Sequence, residues 1–132
     1  MAPTVRLGTV GEDSIAPTVF ALFERAVLDR PHQTAGLRGT SVRLELGYPP
    51  VRVTFGEEIE VGDDDGSPAD VVIAGRLPDI SALLAAPLAA GMPNPTRAAG
   101  RAALARLADG RVALKGSVKA GRKVLQLLSL TA

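Results

Sequence analysis

The chain has no cysteine and a single histidine, His32. The first absence excludes disulfides, a thiolate nucleophile and any cysteine-held zinc or iron–sulfur centre. The second excludes a metal site built from several imidazoles, and His32 reads as a loop residue after Pro31. Aromatics are scarce as well. Tyr48 and three phenylalanines are too few for a base-stacking platform. No apolar run approaches the ~20 residues of a transmembrane helix. The start, "MAPTVRLGTVGEDS", lacks the basic and apolar regions of a signal peptide. The end, "SLTA", is not a peroxisomal Ser-Lys-Leu address. These features lead to an expectation of a cytoplasmic protein.

Chemical motifs are equally thin. No serine stands in a Gly-x-Ser-x-Gly elbow, and no glycine run forms a phosphate-cradling loop. "GDDDGSP" lacks the spaced acidic residues and distal glutamate of an EF-hand loop, so it reads as a turn. The carboxylates cluster in one strand and turn and do not flank a visible cleft. The expectation is therefore no enzyme, no catalytic residue, no metal and no cofactor.

What is present is apolar material in a single domain. The chain has 132 residues, 46% of them hydrophobic, with a net charge of +1. That length buries roughly 70% of the unfolded surface without staples. The near-neutral balance gives no general pull toward nucleic acid, and none is expected as a partner. The charge is unevenly placed, however. Residues 57–70 hold seven acidic side chains and no basic one, whereas residues 97–123 hold eight Arg or Lys against Asp109 alone. Such runs are usually solvated surfaces. The sharper alternative for the basic run is a face for anionic headgroups, a phosphate or an acidic partner.

Patterning predicts an irregular arm over residues 1–14, then a helix from Ser14 and Pro17 to Asp29 with Val19, Phe20, Phe23 and Val27 on one face. "HQTAGLRG" reads as a loop. "TSVRLELG", "VRVTF" and "EEIEV" alternate apolar and polar residues, as in antiparallel strands with one buried face. "ADVVIAGRL" is apolar on both faces and predicts a more central strand. A helix then runs through Ile80, Leu83 and Leu84. Another runs from Pro95 to about Ala108 behind an Asn94 cap. "RVALKG" predicts a fifth strand, and a last helix runs from about Val118 to Leu130. Alternating strands with grouped helices predict an α+β fold: a five-stranded, mainly antiparallel sheet with helices on one face, formed by a single domain over residues 15–132.

Two stretches carry a family resemblance. "ADVVIAGRLPDISALLAAPL" resembles the strand-to-helix passage of sterol carrier protein 2-like (SCP2-like) domains, and "ARLADGRVALKGSVKAGRKVLQLL" resembles their ending. "TSVRLELGYPPVRVTFGEEIEV" fits the family's three-strand meander, so the resemblance covers roughly residues 15–130. It implies an apolar tunnel between helices and sheet that binds or transfers a fatty acid, fatty acyl-CoA, sterol or other lipid without chemistry. The strands are poorer in aromatics than usual for the family, and the segment from Gly91 to Gly110 is longer.

On that reading Phe20, Phe23 and Val27 form one wall of the tunnel, and Leu83, Leu84, Leu88 and Met92 a second. Leu104, Leu107, Val124, Leu125 and Leu128 close it, and Arg97, Arg101 or Arg122 hold an anionic headgroup at its mouth. Membrane contact is at most a transient surface encounter. The alternative reading is a structural or oligomerisation module with a filled core and no ligand, for which an isologous homodimer is the commonest form.

Overall fold

The computed structural model describes residues 3–89 and 91–129. The alternating segments form strands with one apolar face each. β1 is Val5–Leu7, β2 Ser41–Glu45, β3 Val51–Phe55, β4 Ile59–Asp63, β5 Val71–Gly75 and β8 Val112–Gly116. They make one sheet in the order β1-β4-β3-β2-β5-β8. Its β4-β3-β2 meander and the β5-β8 pair are antiparallel, whereas β1-β4 and β2-β5 are parallel. Register stacks Val42 between Val53 and Val71, and Leu44 between Val51 and Ile73, so one sheet face is continuously apolar. β5, apolar on both sides in sequence, lies inside the sheet between β2 and β8.

The helices cover that face. α1 (Ala16–Asp29) lies against β1 and β4, and its Phe23 ring meets Phe55 edge-to-face at 5.9 Å. α4 (Val118–Leu128) contacts α1, β8 and a 3₁₀ helix at Pro31–Leu37. α2 (Leu77–Ala85) contacts α3 (Ala98–Ala108), which reaches the outer strand β8. A two-residue ribbon, β6 (Leu88–Ala89) and β7 (Met92–Pro93), joins α2 to α3. No helix among the described residues is long and apolar enough to cross a membrane.

Two glycines make this packing feasible. Gly116 ends β8 at φ +95°, and a Cβ there would sit 2.1 Å from the Asp70 carbonyl oxygen. The chain turns at that point into α4, where Ser117 caps the helix by accepting from the Ala120 amide at 3.2 Å. Gly100 lets α3 press onto the preceding turn, where a Cβ would lie 1.8 Å from the Asn94 oxygen.

The opposite sheet face is crossed by residues 64–70, which connect β4 to β5. Arg52 points to this face because its neighbours Val51 and Val53 are buried on the other. Its guanidinium pairs with Asp64 at 2.8 Å and donates to the carbonyls of Ser67 and Pro68. Asp65 lies 3.3 Å from it. Much of the acidic run is thereby engaged: Glu58 and Glu60 pair with Arg6, and Asp70 accepts from the Ser41 amide.

Four details differ from the sequence-based expectations. The N-terminal segment is not wholly irregular. Thr4 accepts from the Ile59 amide at 2.8 Å and Gly8 donates to Val61 at 2.7 Å, which docks β1 on β4 and makes the sheet six-stranded. The loop at 31–37 is a 3₁₀ helix. Asn94 does not cap α3: its side chain accepts from the Thr96 amide in a local turn, and the helix begins four residues later at Ala98. The segment around Leu88 and Met92 forms the small ribbon. Leu130, where the last helix is expected to end, lies outside the described residues.

Candidate functional site

A cavity of about 210 Å³ opens between the helices and the sheet. α1 supplies Thr18, Val19 and Leu22 from its first half, with Ile15 just before it. The sheet supplies Leu44 of β2, Leu46 just beyond that strand, and Ile73 of β5. α2 contributes Leu77, Ile80, Ser81, Leu83 and Leu84, and α4 contributes Leu125 and Leu128. Thr18 and Ser81 are the only polar side chains among these, so the space favours an apolar occupant.

Local sequence explains the placement. α2 starts on Leu77-Pro78, with Asp79 in its first turn. Arg106 of α3 donates to Asp79 at 3.0 Å and fixes α2 against its neighbour. At the far side, Arg30 follows α1 and reaches the end of α4. It donates to the carbonyls of Gln126 at 3.3 Å and Leu127 at 3.4 Å, and also to that of Ser129. A cation there satisfies carbonyls that have no partner within the helix.

Four residues expected to line a tunnel, Leu83, Leu84, Leu125 and Leu128, meet at this cavity. Phe23, Val27 and Val124 are buried in the solid part of the core, and Phe20 packs against it half-buried. Leu88 packs beside the core in the ribbon, and Leu107 is half-buried on α3, as is Leu104. Met92 lines a separate space of about 160 Å³ with Arg122 of α4. Arg97 and Arg101 are exposed, and Arg101 donates to the Pro95 carbonyl at 3.2 Å.

The lining residues that sequence reasoning missed come from two places. Leu44, Leu46 and Ile73 are inward positions of alternating strands, but no sequence signal says which inward residues meet a gap and which meet a helix. Ile15 immediately precedes α1 and Thr18 lies in its first turn, where it interrupts the apolar stripe of Ile15 and Leu22. That polar break was the available signal for a mouth.

A wider open space of about 590 Å³ adjoins this side of the cavity. Ile15, Thr18 and Leu77 line both spaces, and the outer one adds Glu12, Asp13, Ser14 and Tyr48.

No protein-family model and no curated protein matches the sequence. Solved structures do match its shape. One, described as "UbiJ-SCP2 Ubiquinone synthesis protein", has a TM-score of 0.63 at 15% identity, over 88% of this chain and 89% of that one. A second is the sterol carrier protein domain 2 of Helicoverpa armigera. Its TM-score is 0.57 at 15% identity, covering 92% of each chain. A third is the apo form of sterol carrier protein 2 from Yarrowia lipolytica. Its TM-score is 0.52 at 16% identity, over 89% of this chain and 92% of that one. The class defined by this sheet and its helical cover is α+β. Within that class the chain has the SCP2-like fold.

Proposed function

We propose that the chain is a non-catalytic binding or carrier domain for an apolar small molecule held between α1, α2, α4 and the sheet. The observation that carries this reading is the 210 Å³ cavity with its nearly all-apolar lining. The sterol carrier protein 2 domains among the similar structures lend it support. The energetics agree. A dry void of that volume would cost on the order of 5 kcal/mol, a large part of a domain's stability. Burying methylenes recovers ~0.8 kcal/mol each. The volume lies below the usual ~300 Å³ minimum for ligand pockets. A long-chain ligand therefore enters with its apolar end inside and the rest of its chain outside the cavity.

Denaturing mass spectrometry of the purified chain, paired with displacement of Nile red by dodecanol, tests the proposal. A co-purified apolar compound or saturable displacement is expected. The absence of both, with the protein folded by circular dichroism, overturns it.

A further inference from the structure

We infer that Glu12 and Asp13 make the cavity selective for ligands whose polar end donates hydrogen bonds without negative charge, such as a long-chain alcohol or amine. This rests on the cavity reading above and names the ligand class it takes. Ile15, Thr18 and Leu77 line both spaces, so the outer space is the adjoining place for the polar end of a ligand whose apolar end lies between α1, α2 and α4. The charged residues lining that space are Glu12 and Asp13, and its other polar residues include Ser14 and Tyr48. No basic side chain lines either space among the described residues. Arg76 precedes Leu77 in the chain but lines neither. Ionised carboxylates only accept hydrogen bonds, so a hydroxyl or ammonium is matched there. A ligand carboxylate or phosphate meets like charge with no compensating cation.

The Ser14 hydroxyl accepts from the Ala16 amide at 3.0 Å, which fixes the entry into α1 directly behind the two carboxylates. Their charge therefore sits at the start of the helix that forms the mouth. The arginines that sequence offered for an anionic headgroup line neither space: Arg122 faces the separate pocket near Met92, and Arg97 and Arg101 are exposed near α3.

The test compares dodecanol, dodecylamine and dodecanoate as competitors of Nile red, on the native chain and on a Glu12→Gln/Asp13→Asn double variant. Equal chain lengths hold the apolar contribution constant. Dodecanol and dodecylamine should bind the native chain about fivefold to tenfold more tightly than dodecanoate, the scale of two exposed charge contacts. Salt at about 0.5 M should narrow that gap. The double variant should strengthen dodecanoate alone among neutral and anionic competitors, and weaken dodecylamine. Equal affinity for all three, or a preference for dodecanoate, overturns the inference and leaves the cavity reading standing. Weak dodecanoate binding that the double variant does not change also overturns it. No displacement by any competitor overturns both.

Discussion

Arg52 Nε donates to Asp64 Oδ1 at 2.8 Å, in a pair whose side chains are only 11% and 8% exposed. The contact holds the 64–70 crossing against the sheet face opposite the helices. It thereby fixes β5 parallel to β2, and Ile73 beside Leu44 at the floor of the cavity. Arg52→Met removes the nearest cation from the buried Asp64, which keeps only the Gly66 amide at 3.1 Å and the more distant Arg43 at 3.9 Å. The expected loss is about 3 kcal/mol, the range for breaking a buried pair. Thermal unfolding followed by circular dichroism checks it, and an unchanged Tm counts against this role for the pair.

Gly100 distinguishes two opposed effects. Helix propensity alone predicts that Gly100→Ala stabilises α3 by about 1 kcal/mol. The Asn94 oxygen 1.8 Å from the new Cβ predicts the reverse, because the preceding turn must move. The clash should win, with a net loss of about 2 kcal/mol, within the usual range for overpacking. Urea denaturation gives the sign directly.

Arg30→Met keeps the aliphatic stem but leaves the carbonyls of Gln126 and Leu127 without their guanidinium donor. A loss of about 1–2 kcal/mol is expected, as for a cation removed from a helix C-terminus. Hydrogen exchange should rise first in the last turn of α4, next to Leu125 and Leu128.

The Asp65 carboxyl is held below its ordinary value by hydrogen bonding from Ser67, aided by the charge of Arg52. A lowered carboxylate pKa adds stability above the unfolded value of about 3.9, and that stability is lost as pH falls through the folded value. Asp65→Asn should therefore lower stability at neutral pH and have no effect in strong acid. Acid titration of both proteins monitors this, and a difference that persists below both pKa values contradicts it.

Much of this was legible in the sequence. The β2-β3-β4 meander, the inward Val42, Val53 and Val61, and the turn at Gly116 follow from period-two alternation and from a glycine between strand and helix. β1 was not legible, because three residues are too short for alternation to stand out. Its pairing depends on Thr4, Gly8 and Arg6 meeting β4, a contact remote in sequence. Asn94 looked like a helix cap because its side chain does accept a backbone amide, but it does so within a turn. The cavity was legible only in part. Periodicity identifies apolar faces such as those of Phe23 and Leu84 alike, whereas the gap depends on where α2 stands relative to α1.

Thr18 lies at the mouth on the exposed side of α1, so Thr18→Trp should block entry without disturbing the core. Ligand affinity should fall at least about tenfold. Tm should move by no more than about 2 °C, as expected for a surface substitution. Nile red binding measured beside thermal unfolding separates the two effects.

Methyl NMR during titration with dodecanol tests the central claim most directly. Saturable shifts at Val19, Leu44, Ile73, Leu84 and Leu125, which line the cavity, are predicted, with exposed Leu28 and Val118 unmoved. Shifts confined to Leu28, Val118 and other surface methyls, or none at all, would contradict an apolar ligand bound between the helices and the sheet.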